Sequence, residues 1–94
     1  MKNQENAYVK LWYIYILRCA DDTLYTGISV DVARRVEEHN AGNPPGARYT
    51  SGRRPVVLVY VEAVANRSLA QRREREIKAL DRAAKLTLIA ATAS

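Results

Sequence analysis

Side-chain types alternate near the start of the chain in a way that predicts a β-hairpin. Aromatic and aliphatic residues follow one another from Trp12 to Leu17, small and polar residues occupy 20–23, and a second short run extends from Leu24 to Ile28. Two such runs joined by a tight polar turn are typical of antiparallel strands. The rest of the chain is expected to pack around this hairpin.

The first predicted strand presents two different faces, because successive side chains of a strand point to opposite sides of the sheet. One face carries Trp12, Ile14 and Ile16, and the other carries Tyr13, Tyr15 and Leu17. The first face is expected to join the core. Tyrosine is a good strand former, so the phenols of the second face, together with Tyr25, either pack across the hairpin or belong to a functional site.

The residues after the hairpin predict a helix with a defined beginning and end. Asp31 is a favourable N-cap, and Gly42 is a favourable stop for a helix that reaches about Ala41. Val32 and Val36 lie four residues apart and define the stripe that this helix buries.

Two polar residues of this helix are predicted to point towards the margin of the sheet. Arg35 adjoins Val36, and His39 lies three residues beyond Val36, so both fall on or beside the buried stripe. Glu37 and Glu38 suit the solvated face better. Arg35 and His39 are therefore candidates for a site at the edge of the sheet.

Residues 42–55 are predicted to form a long basic loop. The segment holds all three prolines, three of the four glycines and three arginines, but no acidic residue. Arg48, Arg53 and Arg54 are suited to phosphate contacts and Tyr49 to stacking, which makes the loop a candidate nucleic-acid-binding surface. The alternative for Tyr49 is that it pins the loop to the core.

The segment from Val56 to Val64 is the strongest strand pattern in the chain. It is apolar at most positions on both faces, with Glu62 as its single charged residue. A strand that is apolar on both faces is typical of a position covered on both sides and paired at both edges. We therefore expect this strand to be central.

Two further helices are predicted in the last third of the chain. Ser68 followed three residues later by Gln71 is a capping box, so a helix is expected from Ser68 to about Leu80. Asp81 is an N-cap for a short last helix that turns Leu88 inward. The apolar stripe of the first of these helices comprises Leu69, Ala70, Ile77 and Leu80.

Glu74 is out of place on that stripe. It lies four residues after Ala70 and three before Ile77, on the face that the helix should bury. Burial of a carboxylate without a cation lowers the free energy of unfolding by roughly several kcal/mol. Glu74 therefore needs either an ion pair or a metal ion. The candidates for an ion pair are Arg35, Arg73 and Lys78.

Length and charge narrow the class of protein. Ninety-four residues suit one domain, predicted over 10–91 after a flexible leader at 1–9. The net charge of +5, carried by eleven arginines and four lysines, suggests a polyanionic partner, although a merely soluble basic surface is the alternative. The single cysteine, Cys19, excludes an internal disulfide and is expected to be buried beside Tyr15 and Leu17. No apolar leader or spanning run is evident, which predicts a cytoplasmic protein without a membrane partner.

Five polar residues lack an evident structural role and could converge from neighbouring elements. Hydrolysis of a phosphodiester needs an acid that holds a divalent metal, a cation for the phosphate and a base for water. One carboxylate suffices for Mg²⁺, which keeps most of its waters and takes other ligands from the substrate. The five residues are Tyr15, Tyr25, Arg35, His39 and Glu74.

The same residues resemble the motifs of the GIY-YIG nucleases. Residues 13–15 correspond to the first signature triplet and 25–27 to the second, with their diagnostic tyrosines ten residues apart. Arg35 follows the second tyrosine by ten residues and His39 comes four later, as in the family's helix motif. Residues 70–78 resemble the segment that bears the metal-binding glutamate. The chain looks closest to the small single-domain bacterial group called UPF0213 or YhbQ-like.

This resemblance implies an α+β sandwich, with a central three-stranded antiparallel sheet flanked by about three helices. It also implies cleavage of DNA with Mg²⁺, or Mn²⁺ in its place, bound by Glu74. By the same resemblance Arg35 stabilises the phosphate, His39 positions water or relays a proton, and either Tyr15 or Tyr25 is the general base. The predicted DNA contacts are Arg48, Tyr49, Arg53, Arg54, Arg73 and Lys78.

The chain departs from the family pattern at three points. Tyr13 stands where the first triplet has glycine, Thr26 stands where the second has isoleucine, and no asparagine follows Asn66, although many members have one late in the domain. The leading hypothesis is an endonuclease that selects DNA by structure rather than sequence, with branched or damaged DNA in repair or recombination as candidate substrates. The alternatives are a non-catalytic nucleic-acid-binding module and an interaction partner within a repair complex. The oligomeric state stays open.

Overall fold

The computed structural model describes residues 10–42 and 48–93, so the predicted leader at 1–9 and part of the predicted loop lie outside the described residues. The strands are β1 (Trp12–Arg18), β2 (Leu24–Ser29) and β3 (Val57–Val64), and the helices are α1 (Val32–Ala41), α2 (Arg48–Ser51), α3 (Arg67–Lys78) and α4 (Arg82–Ala93). None of these helices is long and apolar enough to cross a membrane.

The three strands form one antiparallel sheet in the order β2-β1-β3. The predicted hairpin is β1 and β2, with Tyr15 opposite Gly27 and Ile14 opposite Ile28. β1 is therefore paired at both edges, and its alternating side chains lie on the two faces of the sheet. The predicted fold class, a three-stranded antiparallel sheet with helices packed on it, is confirmed.

The prediction that the strand ending at Val64 is central is wrong, because β3 lies at an edge of the sheet. Tyr60 is buried on the face of the sheet that packs against Ala70 and Ile77 of α3, whereas Leu58 and Val61 are 38% and 41% exposed. An apolar pattern alone does not distinguish a covered strand from an edge strand with one bare apolar face. β1 occupies the central position instead.

The two faces of β1 bury different sets of side chains, as the period of two predicted. Ile14 and Ile16 form the main core with Ala70 and Ile77 of α3, and Leu88 of α4 packs against it. The opposite face buries Tyr15, Leu17 and Cys19 together with Val56, and α1 covers it through Val32 and Val36. The structure thus has an apolar face under α3 and α4 and a tyrosine-bearing face under α1.

The ends of α1 are those that the sequence predicts. The Asp31 side chain accepts a hydrogen bond from the backbone N–H of Arg34 at 3.1 Å. Gly42 has a left-handed backbone with φ 84°, and its N–H donates to the carbonyls of Glu38 and His39. These two caps set the length of α1 and hence the position of His39 in its last turn.

The predicted start of α3 is wrong by two residues. The N-cap is Asn66, whose side-chain oxygen accepts from the N–H of Leu69 at 2.9 Å, so that Ser68 lies within the first turn. Asparagine and serine are about equally good N-caps, and the sequence offers both. Leu69 and Leu80, predicted to be buried, are 42% and 36% exposed, while Ala70 and Ile77 are fully buried.

Candidate active site

Tyr15 and His39 form the centre of the candidate site. Tyr15 projects from β1 on the tyrosine-bearing face and is 1% exposed, and His39 from the last turn of α1 is fully buried. The Tyr15 hydroxyl lies 3.2 Å from Nε2 of His39, within hydrogen-bond distance. His39 therefore points towards the sheet, as the sequence predicted.

Gly27 leaves room for the Tyr15 ring. It lies opposite Tyr15 on β2, and a Cβ added at Gly27 would come 2.5 Å from the Tyr15 hydroxyl and 2.7 Å from Cζ. Any side chain there would displace the phenol, because non-bonded carbon and oxygen atoms do not approach so closely. The glycine of the second triplet is thus required for the placement of the tyrosine of the first.

Thr50 is the second partner of the His39 ring. Its hydroxyl lies 2.7 Å from Nδ1 of His39, and the residue is fully buried. It belongs to α2, a single helical turn inside the segment predicted to be a continuous loop, so that prediction is wrong at 48–51. The imidazole is held between hydroxyl groups from two different elements.

Arg35 connects the buried pair to the surface of α1. Its positive charge lowers the pKa of the Tyr15 hydroxyl, and its guanidinium donates to Glu38 Oε1 at 3.0 Å. Glu38 also accepts from Arg34 at 3.2 Å. Glu38, predicted to lie on the solvated face, therefore holds the cation that lowers the pKa of Tyr15.

Burial dominates the proton affinity of Tyr15. Burial, and then the adjacent Tyr25 phenol, raise the pKa of Tyr15 from 10.0 to about 12, against the hydrogen bond and positive charge of Arg35, which lower it. Glu74 raises it slightly further, so the Glu74 carboxylate lies within electrostatic reach of this phenol. Tyr15 is consequently neutral at physiological pH in the resting protein.

Burial and charge also determine the states of His39 and Arg35. Burial, followed by the positive charge of Arg35, lowers the pKa of His39 below its usual 6.5, although Glu38 opposes the shift. Burial would lower the pKa of Arg35, but hydrogen bonds with Glu38 and Tyr15 outweigh it and raise the pKa. The site thus contains a neutral imidazole beside a permanent cation.

Two more tyrosines line the same site. The Tyr25 ring lies 5.2 Å from the His39 ring and 6.3 Å from the Tyr15 ring, measured between centroids. Tyr49 packs on Tyr25 at 5.7 Å and is 38% exposed. Tyr49 therefore pins α2 to the site while part of its ring stays at the surface, and its stacking against a nucleic acid stays a prediction.

Glu74 is less buried than its position on the helix predicted. Its side chain is 22% exposed, and its Oε2 pairs with Nζ of Lys78 at 3.3 Å, one of the ion pairs considered from the sequence. Among the residues that the structure describes, no three His, Cys, Asp or Glu side chains cluster as a metal site. This donor set fits Mg²⁺ only in its hydrated form, with one carboxylate and the remaining ligands from water and phosphate.

The predicted DNA contacts of the 42–55 segment differ in how they are engaged. Arg48 is exposed at the start of α2. Arg53 donates to Asp21 Oδ2 at 2.9 Å and stacks 4.1 Å from the Tyr49 ring centroid, so it ties the segment to the turn of the hairpin. Arg54 is exposed and donates through Nε to the Ser51 carbonyl at 3.1 Å.

The two predicted DNA contacts on α3 lie in different surroundings. Arg73 donates to both carboxylate oxygens of Glu62, at 3.0 and 3.1 Å, and to Glu76 at 3.1 Å. Because Glu62 is opposite Ile14, this network belongs to the apolar face of the sheet, away from Tyr15. Lys78 pairs with Glu74, whose charge acts on Tyr15.

Sequence reasoning missed the roles of Thr50, Glu38 and Asp21. Thr50 sits in a segment without periodicity, so no pattern indicates that its side chain is buried. Glu38 could have been found from its spacing of three and four residues to two arginines, which is the spacing of helical ion pairs. Asp21 lies in a hairpin turn, where aspartate is expected for local reasons.

The three-stranded antiparallel sheet flanked by helices agrees with the class that the motifs suggested. Residues 11–87 match the model of the GIY-YIG catalytic domain, so the chain belongs to the GIY-YIG family. This is a family of nucleases.

Within that family the relatives of the chain are UPF0213 proteins. It is 53% identical over 81 residues to a UPF0213 protein of Desulfotalea psychrophila, covering 86% of this chain and 73% of the relative. It is 55% identical over 78 residues to a UPF0213 protein of Natronomonas pharaonis, covering 83% of this chain and 89% of that one. The resemblance to the small UPF0213 group is confirmed.

Two solution NMR structures have a similar fold. The UPF0213 protein BH0048 of Bacillus halodurans matches with a TM-score of 0.55 and 42% identity, over 86% of this chain and 84% of that one. The E. faecalis protein EF2693 matches with a TM-score of 0.59 and 30% identity, over 90% of both chains.

Proposed function

We propose that this protein is a metal-dependent endonuclease that hydrolyses phosphodiester bonds of DNA and selects its substrate by structure rather than by sequence. The observation that carries the proposal is the buried, hydrogen-bonded pair of Tyr15 and His39 beside the positive charge of Arg35, in a chain of the GIY-YIG family. The net charge of +5 suits a nucleic acid backbone, whose phosphates supply most of the non-specific affinity.

Tyr15 is the proposed general base. Its proton passes to Nε2 of His39, and the phenolate oxygen then takes a proton from the attacking water. The raised pKa of Tyr15 makes this step costly in the resting protein, so the phenolate must be stabilised while substrate is bound. Arg35 carries a positive charge that already lowers the pKa of this phenol, and the same charge would stabilise the phenolate.

Arg35 also suits the second requirement of the reaction, stabilisation of negative charge on the phosphate. A guanidinium presents several donors in a fixed plane and keeps its charge under all conditions. The ion pair with Glu38 prevents it from turning away to solvent. Tyr25 and Tyr49 form an aromatic wall beside the reacting groups, suited to stacking against a base exposed at a branch or lesion.

Glu74 is the residue that would hold Mg²⁺. When bound, the metal would supply positive charge for the phosphate and lower the proton affinity of nearby groups. Lys78 now pairs with the Glu74 carboxylate through a flexible side chain, which DNA phosphates can draw away. The proposal includes Mg²⁺, or Mn²⁺ in its place, as the metal that the protein uses in the cell.

Nicking of supercoiled plasmid and cleavage of branched DNA by the purified chain test the proposal. Wild type and Glu74→Ala, prepared identically, are compared in Mg²⁺, in Mn²⁺ and in chelator. We expect metal-dependent cleavage that falls by roughly a hundredfold or more in the variant, because transition-state charge stabilisation is typically several kcal/mol.

Glu76→Ala is the matched control on the same helix. Glu76 pairs with Arg72 and Arg73 on the surface of α3, so its loss changes the charge equally without touching Tyr15 or His39. Cleavage should survive in this variant. Equal background cleavage by wild type, Glu74→Ala and Glu76→Ala would contradict the proposal.

A non-catalytic nucleic-acid-binding module is the second candidate, and the Glu74–Lys78 ion pair is the observation that favours it. A carboxylate satisfied by a lysine needs no metal. This candidate predicts binding of branched DNA that weakens steeply with salt, together with no cleavage above background in any metal. A role in a repair complex would instead require that neither activity survives physiological salt.

A further inference from the structure

The hydrogen bonds around His39 determine which of its two ring nitrogens carries the proton. The ring is buried beside the permanent charge of Arg35, so it is neutral and has one N–H and one bare nitrogen. Nδ1 faces the Thr50 hydroxyl at 2.7 Å, and Nε2 faces the Tyr15 hydroxyl at 3.2 Å. If the ring proton is on Nδ1, Nε2 can accept the phenol proton of Tyr15. If the ring proton is on Nε2, it cannot.

The positive charge of Arg35 resolves the choice, because the O–H dipole of a phenol turns its proton away from a nearby cation. The phenol proton therefore points away from Arg35 and needs an acceptor of its own within a buried site. Nε2 of His39 is at the right distance to be that acceptor, provided that it is bare. Nδ1 must then carry the ring proton and donate it to Thr50.

We propose that Thr50 is a positioning residue whose hydroxyl accepts the Nδ1 proton of His39 and thereby keeps Nε2 unprotonated towards Tyr15. Its consequence for catalysis rests on the proposed nuclease function, but the tautomer itself does not. Neutral histidine orientation is commonly set in this way by the hydrogen bond on the nitrogen that does not face the reacting group.

The surroundings of α2 hold Thr50 in place on both sides. Arg53 donates from its backbone to the Thr50 carbonyl at 3.0 Å and from its side chain to the Tyr49 carbonyl at 2.7 Å. The Ala20 amide in the hairpin turn donates to the Arg53 carbonyl at 2.9 Å. A one-turn helix has little stability of its own, so these contacts with the hairpin define the hydroxyl position.

The chain contains one histidine, which makes the tautomer directly measurable. Long-range ¹⁵N–¹H spectra of the labelled full chain, without metal or DNA, report whether each imidazole nitrogen bears a proton. We expect wild type to show a protonated Nδ1 and a bare Nε2. A wild-type spectrum with the proton on Nε2 would overturn the proposal, and this result needs no variant to fold.

Thr50→Val and Thr50→Ser separate the hydroxyl from the shape of the side chain. Valine is nearly isosteric but cannot accept the Nδ1 proton, so we expect a population of the Nε2–H tautomer to appear, whereas serine should retain the wild-type tautomer. A valine variant with the wild-type tautomer unchanged would overturn the proposal. Amide spectra of both variants identify any that has not folded.

The cleavage assay gives a second, separate readout. With the KM for DNA little changed, Thr50→Val should reduce kcat by about tenfold to a hundredfold, by analogy with residues that orient metal-bound histidines, and Thr50→Ser should restore it. If no form of the chain cleaves DNA but the tautomers are as expected, the nuclease proposal fails and the positioning role stands. If the wild type cleaves DNA and Thr50→Val changes neither the tautomer nor the cleavage rate, the positioning role of Thr50 is wrong and the nuclease proposal stands.

Discussion

The apolar face and the tyrosine-bearing face of the sheet are built by alternate residues of the same strand, yet they bury different chemistry. Ile14 and Ile16 pack in one apolar cluster with Ala70 and Ile77. One residue away on the other face, Tyr15 is hydrogen-bonded to buried His39. The first face gains from apolar area removed from water, whereas the second depends on every polar group having a partner.

This difference shows where stability and candidate chemistry reside. Within the described part of the chain, no buried side-chain nitrogen or oxygen lacks a hydrogen-bond partner, so the polar site is assembled without orphaned groups. Such a network contributes little net free energy to folding, but a single lost partner is costly. Changes on the apolar face should therefore act on stability, and changes on the other face should act first on the geometry around Tyr15.

The largest expected effect comes from the apolar face. Ile77→Ala removes a fully buried side chain between α3 and β1 and should lower the free energy of unfolding by about 2–5 kcal/mol. Leu69→Ala on the same helix, 42% exposed, should change it by less than about 0.5 kcal/mol. Urea unfolding measures both, and the His39 ring spectrum should be unchanged in each. A shifted His39 spectrum in Ile77→Ala would show that the two faces are not independent.

Gly27→Ala should give the next largest effect, on the opposite face. The new methyl group overlaps the Tyr15 phenol, and displacement of that packed ring should cost about 1–3 kcal/mol. Gly52→Ala is the matched control, because its Cβ would meet nothing within 4 Å, and it should stay within about 0.5 kcal/mol of wild type. Equal stabilities of the two variants would contradict the close approach of Tyr15 to Gly27.

A smaller effect should follow from the pH dependence of stability. His39 faces the Tyr15 and Tyr25 phenols, Arg35 and Glu38, and burial lowers its pKa below the value of about 6.5 expected in the unfolded chain. The unfolded state therefore binds the proton first, and the free energy of unfolding should fall as pH drops below about 6.5 and level off below the folded pKa. NMR titration of the single histidine should give a midpoint below 6.5; a midpoint above it would contradict this account.

The smallest expected effect concerns the polar network on the apolar side. Glu62 accepts hydrogen bonds from Tyr60 at 2.5 Å and from Arg73 at 3.0 Å, at the edge of the sheet. Glu62→Gln should lower the free energy of unfolding by about 1 kcal/mol or less, because partly exposed ion pairs contribute little. Glu37→Gln, on the exposed side of α1, provides the reference for loss of one negative charge. A loss much greater than about 1 kcal/mol would place this network among the main stabilising features.

Local patterns predicted the parts of the fold that depend on neighbouring residues. The period of two in β1 correctly separated Ile14 from Tyr15, and the caps at Asp31 and Gly42 set α1 and so the position of His39. The edge position of β3 could not be predicted in the same way. Strand order depends on how all the strands pair, and the apolar pattern of one segment does not indicate which of its edges are paired.

The candidate site was predictable for the residues on regular elements and not for the rest. Tyr15, Arg35 and His39 fall at periodic positions that face the sheet, and the structure brings them together. Thr50 lies eleven residues beyond His39, across an irregular segment, and threonine in such a segment has no distinguishing pattern. The partial exposure of Glu74 depends on how α3 docks, which a helical stripe does not define.

The attachment of α2 to the hairpin turn has a consequence for the order of events in folding. The contact between Ala20 and Arg53 closes a loop of some thirty residues, whereas the hairpin closes one of only a few. The hairpin can therefore form before the segment that carries Thr50 is in place, whereas the pairing of β1 with β3 closes a still longer stretch of chain. The proposed catalytic group would be complete only when the segment that carries Thr50 has docked. By the same reasoning, in native-state hydrogen exchange the Ala20 amide should open more readily than the amides of central strand β1.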